Sequence, residues 1–301
     1  MIKEKETNFI SAVVYVDELS IDIRNFLRSL ISLFENKYKN FEIICVDDYM
    51  NNNVIESKIY QAKEETNCKA LTIMRMAGRG KKGLEICMTA GRDFAIGDYI
   101  FEFDTTYKDY DESVVTEAYQ KILSGYDVVT ARSSKQKDPI ESRIFYKVFN
   151  SCSNLSYELE SDRFRVMSRK AVNRAEEFSK ISPYRKAVYS ACGLNIARIE
   201  YNPVSCRETK RPDSAKWETA SDAIVLFTNV AYRISMFFSI MLSLVMLGFG
   251  IYVIIVYIGK NKPVEGWAPM MGMICLGFLV VFILMTQTSH LNKCLCPLKI
   301  Q

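Results

Sequence analysis

Apolar and polar residues fall into short blocks along the first two-thirds of the chain, and the period of the blocks changes. FISAVVYV over 9–16 is a β-rich run closed by Asp17-Glu18. Ile21, Ile23, Phe26, Leu27, Leu30, Ile31 and Phe34 then recur at helical spacing and predict an amphipathic helix. FEIICV over 41–46 predicts a second strand ending at Asp47-Asp48, then a helix to about Thr66 and a short strand around 70–74. The basic, glycine-containing loop RGKKG precedes a helix predicted from about Gly83 to Ala95. A strand over Tyr99–Phe103, a helix over 112–124 and a strand over 126–131 follow. Strands that alternate with helices predict an α/β domain with a mostly parallel sheet and right-handed crossovers. Asp138 to Asn154 carries Arg143 and Lys147 against a Phe/Tyr/Val face, the pattern of an amphipathic helix that faces either the core or a membrane surface.

Near residue 234 the pattern changes. Residues 234–258 and 267–286 contain no charged side chain, and each run reaches the ~20 residues that cross a hydrocarbon core. The chain therefore predicts a folded domain over 1–217, an interfacial helix over 218–233, and two transmembrane helices over 234–258 and 267–286. A short tail, 287–301, follows. The linker 259–266 permits only a tight hairpin. MIKEKETNFI has no apolar leader, so the folded domain and the tail are expected on the cytoplasmic side of the cell membrane. Ser235, Ser239 and Ser243 repeat every four residues, either as a close-packing stripe, which would suit a homo-oligomer, or as scattered serines in a tolerant helix.

Composition narrows the chemistry. The net charge of +4 is mild and the basic residues are dispersed, which argues against a nucleic-acid partner. Nine cysteines without a C-x-x-C pair fit free thiols in a reducing compartment. The acids are more telling. Asp17, Asp47, Asp48 and Asp104 all fall at the carboxyl ends of predicted strands, where open α/β sheets bind ligands. Glu102 and Asp104 project to the same face of one strand, about 6.6 Å apart along it. Two carboxylates that close need a cation or a hydrogen-bonding ligand between them. A divalent metal bridging substrate phosphates is one solution, and a solvated acidic turn is the other reading.

The order of these pieces resembles the family 2 inverting glycosyltransferases of the GT-A fold. The residues that carry the likeness are the first strand ending at Asp17-Glu18, FEIICVDD, the Ala-Gly-x-x-x-Ala-x-Gly-Asp segment from Ala90 to Asp98, and the acidic strand end at Asp104. RFRVMSR over 163–169 is similar to the D-F-R-L-x-S-R segment of polyprenyl-phosphate glycosyltransferases, the group that includes dolichol-phosphate mannose synthase. RPDSAKW over 211–217 resembles their R-x-G-x-S-K-Y element, and two membrane helices follow as in that group.

The resemblance implies a Rossmann-like catalytic domain, a nucleotide-sugar donor, a polyprenyl-phosphate or similar lipid acceptor, and Mg2+ or Mn2+. Carried over by position, Asp17, Glu18, Asp47, Asp48 and Asp98 would hold the nucleotide sugar. Asp104, with Glu102 or Asp109 as a second acid out of register, would hold the metal. Asp104, Asp162 and Arg165 would be catalytic, and Ser168, Arg169, Arg211 and Lys216 would meet phosphate groups. The chain departs from the pattern at four places: Tyr49-Met50-Asn51 follows Asp48 in place of Gly-Ser-x-Asp, Tyr15-Val16-Asp17-Glu18 stands where a proline and an Asn-Glu pair are common, and two more touch the chemistry. The D-x-D element reads Asp104-Thr105-Thr106, and Arg163 stands where the family keeps its acidic base, with Asp162 one place earlier. These departures leave open a second reading, a catalytically silent scaffold that binds a nucleotide sugar or a partner protein.

Overall fold

A computed structural model describes residues 5–17, 20–48, 53–76, 83–135, 140–153, 157–179, 184–204, 230–258 and 266–295. Glu18, Arg211, Lys216, most of the RGKKG loop, the 218–229 part of the expected interfacial helix, most of the hairpin linker and the end of the tail lie outside these residues. The chain divides into two compact units, Met1–Asn150 with Leu155–Ser221, and Ser151–Asn154 with Asp222–Gln301.

The first unit is built on a sheet of seven strands: β1 (Glu6–Val16), β2 (Tyr38–Asp47), β3 (Leu71–Arg75), β4 (Tyr99–Phe103), β5 (Val128–Ser133), β6 (Phe164–Ser168) and β7 (Ile196–Tyr201). Their spatial order is β3-β2-β1-β4-β6-β5-β7. Neighbours pair in parallel except at β6, which runs antiparallel to both β4 and β5. The sheet is thus mostly parallel, as the alternation predicts, with one reversed strand that local periodicity does not foretell.

Side-chain alternation divides the sheet into two faces. On one, Ala12, Val14 and Val16 of β1, Phe101 and Phe103 of β4 and Phe164 and Val166 of β6 join a single core with three helices. α1 (Ile23–Lys37) contributes Ile23, Phe26, Leu27, Leu30, Ile31 and Phe34, the stripe expected from its spacing, except that Ile21 precedes the helix and is exposed. α4 (Glu112–Leu123) contributes Val114, Val115, Ala118 and Ile122 and is capped by the Asp111 side chain, which accepts from Ser113 N. α2 (Asn53–Thr66) adds Ile55, Ile59 and Ala62.

The other face takes α3 (Leu84–Phe94), with α6 (Arg169–Ser179) and α7 (Arg185–Ala191) beyond it. Gly91 is the reason α3 can lie so close to the sheet. A Cβ there would stand 2.5 Å from both Val13 Cγ1 and Val46 Cγ2. At Gly97 a Cβ would meet the Ser11 backbone nitrogen at 2.7 Å and Phe9 O at 2.9 Å. The glycines of the Ala-Gly…Gly-Asp segment are therefore packing positions, one under a helix and one at the start of β4. α5 (Ile140–Cys152) forms within the stretch expected to be amphipathic.

The second unit contains α8 (Val230–Ile258) and α9 (Trp267–Leu295), which pack against each other. Among the described residues, Met236–Ile258 is long and apolar enough to cross a membrane, and Met270–Leu284 is a shorter apolar stretch. Ser239 is buried, while Leu244, Ile255 and Met273 are exposed.

Candidate active site

The strand register brings the expected acids to one edge. Val16 pairs with Asp47, and Val14 pairs with Phe103, so Asp17, Asp47, Asp48 and Asp104 all sit at the carboxyl edge of the parallel strands. Asp48 is buried, and its Oδ2 accepts from Tyr15 Oη at 2.8 Å and from Gly83 N at 3.0 Å. It thereby ties β1 and β2 to the start of α3. Burial, reinforced by the Asp48 carboxylate, pushes the Tyr15 phenol far above its usual range. Asp17 is held in a tight turn, with Ser20 Oγ donating to Asp17 Oδ1 at 2.9 Å.

Beside this row lies a buried ionic cluster. Glu102 and Asp104 do project to the same face, and two guanidinium groups lie between them. Arg165 donates from Nη1 to Glu102 Oε2 (3.2 Å), from Nη2 to Asp104 Oδ2 (2.7 Å), and from Nε to Asp162 Oδ2 (2.9 Å). Arg185 donates from Nη1 to Glu102 Oε2 (2.7 Å), from Nη2 to Asp104 Oδ1 (2.9 Å), and from Nε to Glu85 Oε2 (2.9 Å). Tyr189 Oη donates to Glu102 Oε1 at 2.8 Å and accepts from Arg92 Nη1 at 2.9 Å. Lys186 pairs with Asp162. The side chains of Arg165 and Arg185 are each 1% exposed and that of Lys186 is 14% exposed, so Lys186 is the cluster cation nearest to solvent.

Opposite charges set the ionisation of the group. Burial works against a charged Asp104, but Arg165, Arg185 and Lys186 outweigh it and hold its carboxyl well below the usual range. Asp162 is lowered in the same sense, by Arg165 and Lys186 against burial. Burial would lower both arginines, yet the surrounding carboxylates, Asp104 foremost, raise them well above their ordinary values. The Tyr189 phenol is pushed up to about 12, by burial and then by Glu102. Asp104 and Asp162 are thereby kept ionised beside Arg165, Arg185 and Lys186.

No family model matches the chain. It is 25% identical to an uncharacterised glycosyltransferase of Synechocystis over 77% of this chain and 73% of that protein. It is 28% identical to a prophage bactoprenol glucosyl transferase homologue of Escherichia coli, over 62% of each. Its fold is similar to that of glucosyl-3-phosphoglycerate synthase from Mycobacterium tuberculosis, with a TM-score of 0.50 at 11% identity, over 72% of this chain and 80% of that one. The chain is similar to family 2 glycosyltransferases of the polyprenyl-phosphate type.

Against that glycosyltransferase resemblance, the metal it implies can be tested on the residues. Mg2+ and Mn2+ bind through carboxylate oxygens, and an oxygen that already accepts from a guanidinium must be shared with that cation. Both oxygens of Asp104 and both of Glu102 already accept charge-assisted or phenolic hydrogen bonds. Among the described residues, no group of three or more His, Cys, Asp or Glu could hold a metal ion. A divalent ion about 5 Å from one guanidinium meets roughly 7 kcal/mol of repulsion at an effective dielectric of about 20. The residues in this arrangement do not fit the metal.

Other sequence candidates lie elsewhere. In the β4–β6 ladder Tyr99 pairs with Ser168 and Phe103 with Phe164, so Asp98, Ser168 and Arg169 sit at the opposite end of these strands from Asp104. Their contacts there are with backbone groups. Ser168 Oγ accepts from Ala171 N in the first turn of α6, and Asp98 Oδ2 accepts from Phe9 N. Arg169 donates to the carbonyls of Ala95 and Gly97. Arg163, at the position where the resemblance implies a base, donates to Asp109 Oδ2 at 3.0 Å, and Tyr201 Oη donates to the other oxygen at 2.7 Å. The sequence reasoning missed Arg185, Lys186, Tyr189, Glu85 and Arg92. The one signal was the four-residue spacing of Arg185 and Tyr189, which puts both on one face of a short helix.

Proposed function

We propose that the chain is a membrane-bound, inverting glycosyltransferase that moves a sugar from a nucleotide donor to a polyprenyl phosphate or a similar lipid phosphate. The observation that carries this reading is the clustering of Asp104, Asp162 and Arg165 at the carboxyl edge of a GT-A-like sheet, beside the acids Asp47 and Asp48. Such an edge is where open α/β sheets take nucleotides. Asp47 and Asp48 would accept hydrogen bonds from the base or ribose. Lys186, backed by Arg165 and Arg185, would meet the diphosphate, since ammonium and guanidinium groups neutralise phosphate well.

In the transfer, an oxygen of the acceptor phosphate attacks the anomeric carbon, and the bond to the diphosphate breaks with the electron pair leaving on the nucleotide. A phosphate monoester has a second pKa of about 6, so it arrives largely ionised and needs no strong base. That fits a chain with Arg163 at the position where the resemblance implies an acid. Asp162, kept ionised by Arg165 and Lys186, would orient the reactants, not take a proton. The acceptor is a lipid, so a membrane location is part of the proposal: a hairpin of α8 and α9 with the domain 1–217 and the tail 287–301 on the cytoplasmic side.

A specific observation favours a second reading. Both Asp104 oxygens are committed to arginines, and Thr106 is buried where a second acid is expected, as in a scaffold that has lost turnover. The two readings separate in one assay. Membranes containing the full chain are incubated with polyprenyl phosphate and labelled UDP-glucose, UDP-N-acetylglucosamine or GDP-mannose. A transferase carries label into the organic extract, and Asp104→Asn abolishes it. Retained nucleotide binding with no extractable label from any donor supports the scaffold and removes the transferase.

A further inference from the structure

We propose that Arg165 and Arg185 stand in place of a divalent cation, so that Asp104 and Glu102 bind no metal ion, either alone or together with a nucleoside diphosphate. The proposal rests on reading this edge as a nucleotide-sugar site and concerns which charge meets the diphosphate there. Each acid has both oxygens in use: Asp104 accepts from Arg165 and Arg185, and Glu102 from those two and Tyr189. The ladder itself enforces the pairing, because Arg165 is the residue directly opposite Glu102. Arg185 is anchored a second time, by its own backbone nitrogen and Nε to Glu85 Oε2.

A metal ion entering here would displace two buried guanidinium groups from Glu102 and Asp104 and leave each with a single carboxylate, Asp162 for Arg165 and Glu85 for Arg185, a costly way to break buried ion pairs. Thr106, at the position of the missing second acid, is buried and brings no charge in compensation. The substitution of an acid by threonine and the presence of two arginines are thus complementary. The second carboxylate is dispensable once the positive charge is covalently part of the chain. Lys186 then offers the diphosphate an ammonium group in the metal's stead, held in place by Asp162 and by the Glu160 carbonyl at 3.2 Å.

The test uses the full chain purified in detergent. Mn2+ is titrated and followed by electron paramagnetic resonance, first alone and then with UDP or GDP present. Calorimetry measures the affinity for the same nucleotides in EDTA and in excess Mg2+ or Mn2+. The expected result is no Mn2+ taken up by the protein and an affinity that changes less than about twofold between the two conditions. Arg185→Met frees oxygens of Glu85, Glu102 and Asp104 and should create Mn2+ binding that wild type lacks. The wild-type titration decides the question even where that variant does not fold. Mn2+ uptake by wild type that Asp104→Asn removes, or an affinity gain of about tenfold or more with metal, overturns the proposal. If neither nucleotide binds under either condition while Mn2+ stays free, the nucleotide-sugar reading falls and the metal-free cluster stands.

Discussion

Arg165 and Glu102 are directly opposed across the antiparallel β6–β4 ladder, and Arg165 Nη1 donates to Glu102 Oε2 at 3.2 Å inside the protein. A cross-strand pair of opposite charge on a surface contributes little. This one is buried, and removing one partner takes a counter-charge from the other where water cannot replace it.

Glu102→Gln should therefore destabilise the protein by about 3–5 kcal/mol, because Arg165 and Arg185 both lose a buried counter-charge. Chemical denaturation of the purified full chain measures it. A variant as stable as wild type would mean that the cluster is hydrated and not the closed network described.

Gly91→Ala should cost about 1–3 kcal/mol through overpacking, since the added methyl meets Val13 Cγ1 and Val46 Cγ2. Val13→Ala removes one of the two obstacles, so the double variant should recover part of the loss in Tm. Equal Tm for wild type and Gly91→Ala would show that α3 does not press on the sheet.

Acid should weaken the contribution of Asp104 and Asp162 in a defined direction. Their folded pKa values lie below the unfolded value of about 3.9. The stability they add is complete above that value and is lost as pH falls through the folded pKa. The Tm gap between wild type and Asp104→Asn should hold steady above about pH 5 and shrink below about pH 4. A gap that widens in acid would reverse the assigned shift.

Asp48→Asn should weaken nucleotide binding about 5- to 150-fold, the equivalent of losing one buried polar contact. Tyr15→Phe is the control: it removes the hydrogen bond to Asp48 and should lower Tm with little change in nucleotide affinity. If both variants bind as wild type does, Asp48 is a structural tie between β1, β2 and α3 and nothing more.

The proposed membrane hairpin predicts a labelling pattern in intact cells. Asn261→Cys should react with an impermeant maleimide from outside, and native Cys294 and Cys296 should not. The reverse pattern would place the large domain outside.

The amino-acid sequence by itself determined the elements whose physics is local. The strand over 9–16, the stripe from Ile23 to Phe34, and the strand Tyr99–Phe103 with Glu102 and Asp104 on one face all follow from period, and they form as expected. So does the row of acids at strand ends, because alternating strands and helices leave the carboxyl ends of parallel strands on one edge. The tertiary structure alone decided what lies between the acids. β6 is five residues long and antiparallel, and nothing in its own pattern says that it inserts between β4 and β5. That insertion turns Arg165 towards Glu102 and carries Ser168 and Arg169 to the far edge. Arg185 and Tyr189 arrive from a seven-residue helix more than eighty positions away in the chain from Glu102. Charge pairing over such separations depends on which segments the fold makes neighbours, and periodicity carries no record of that.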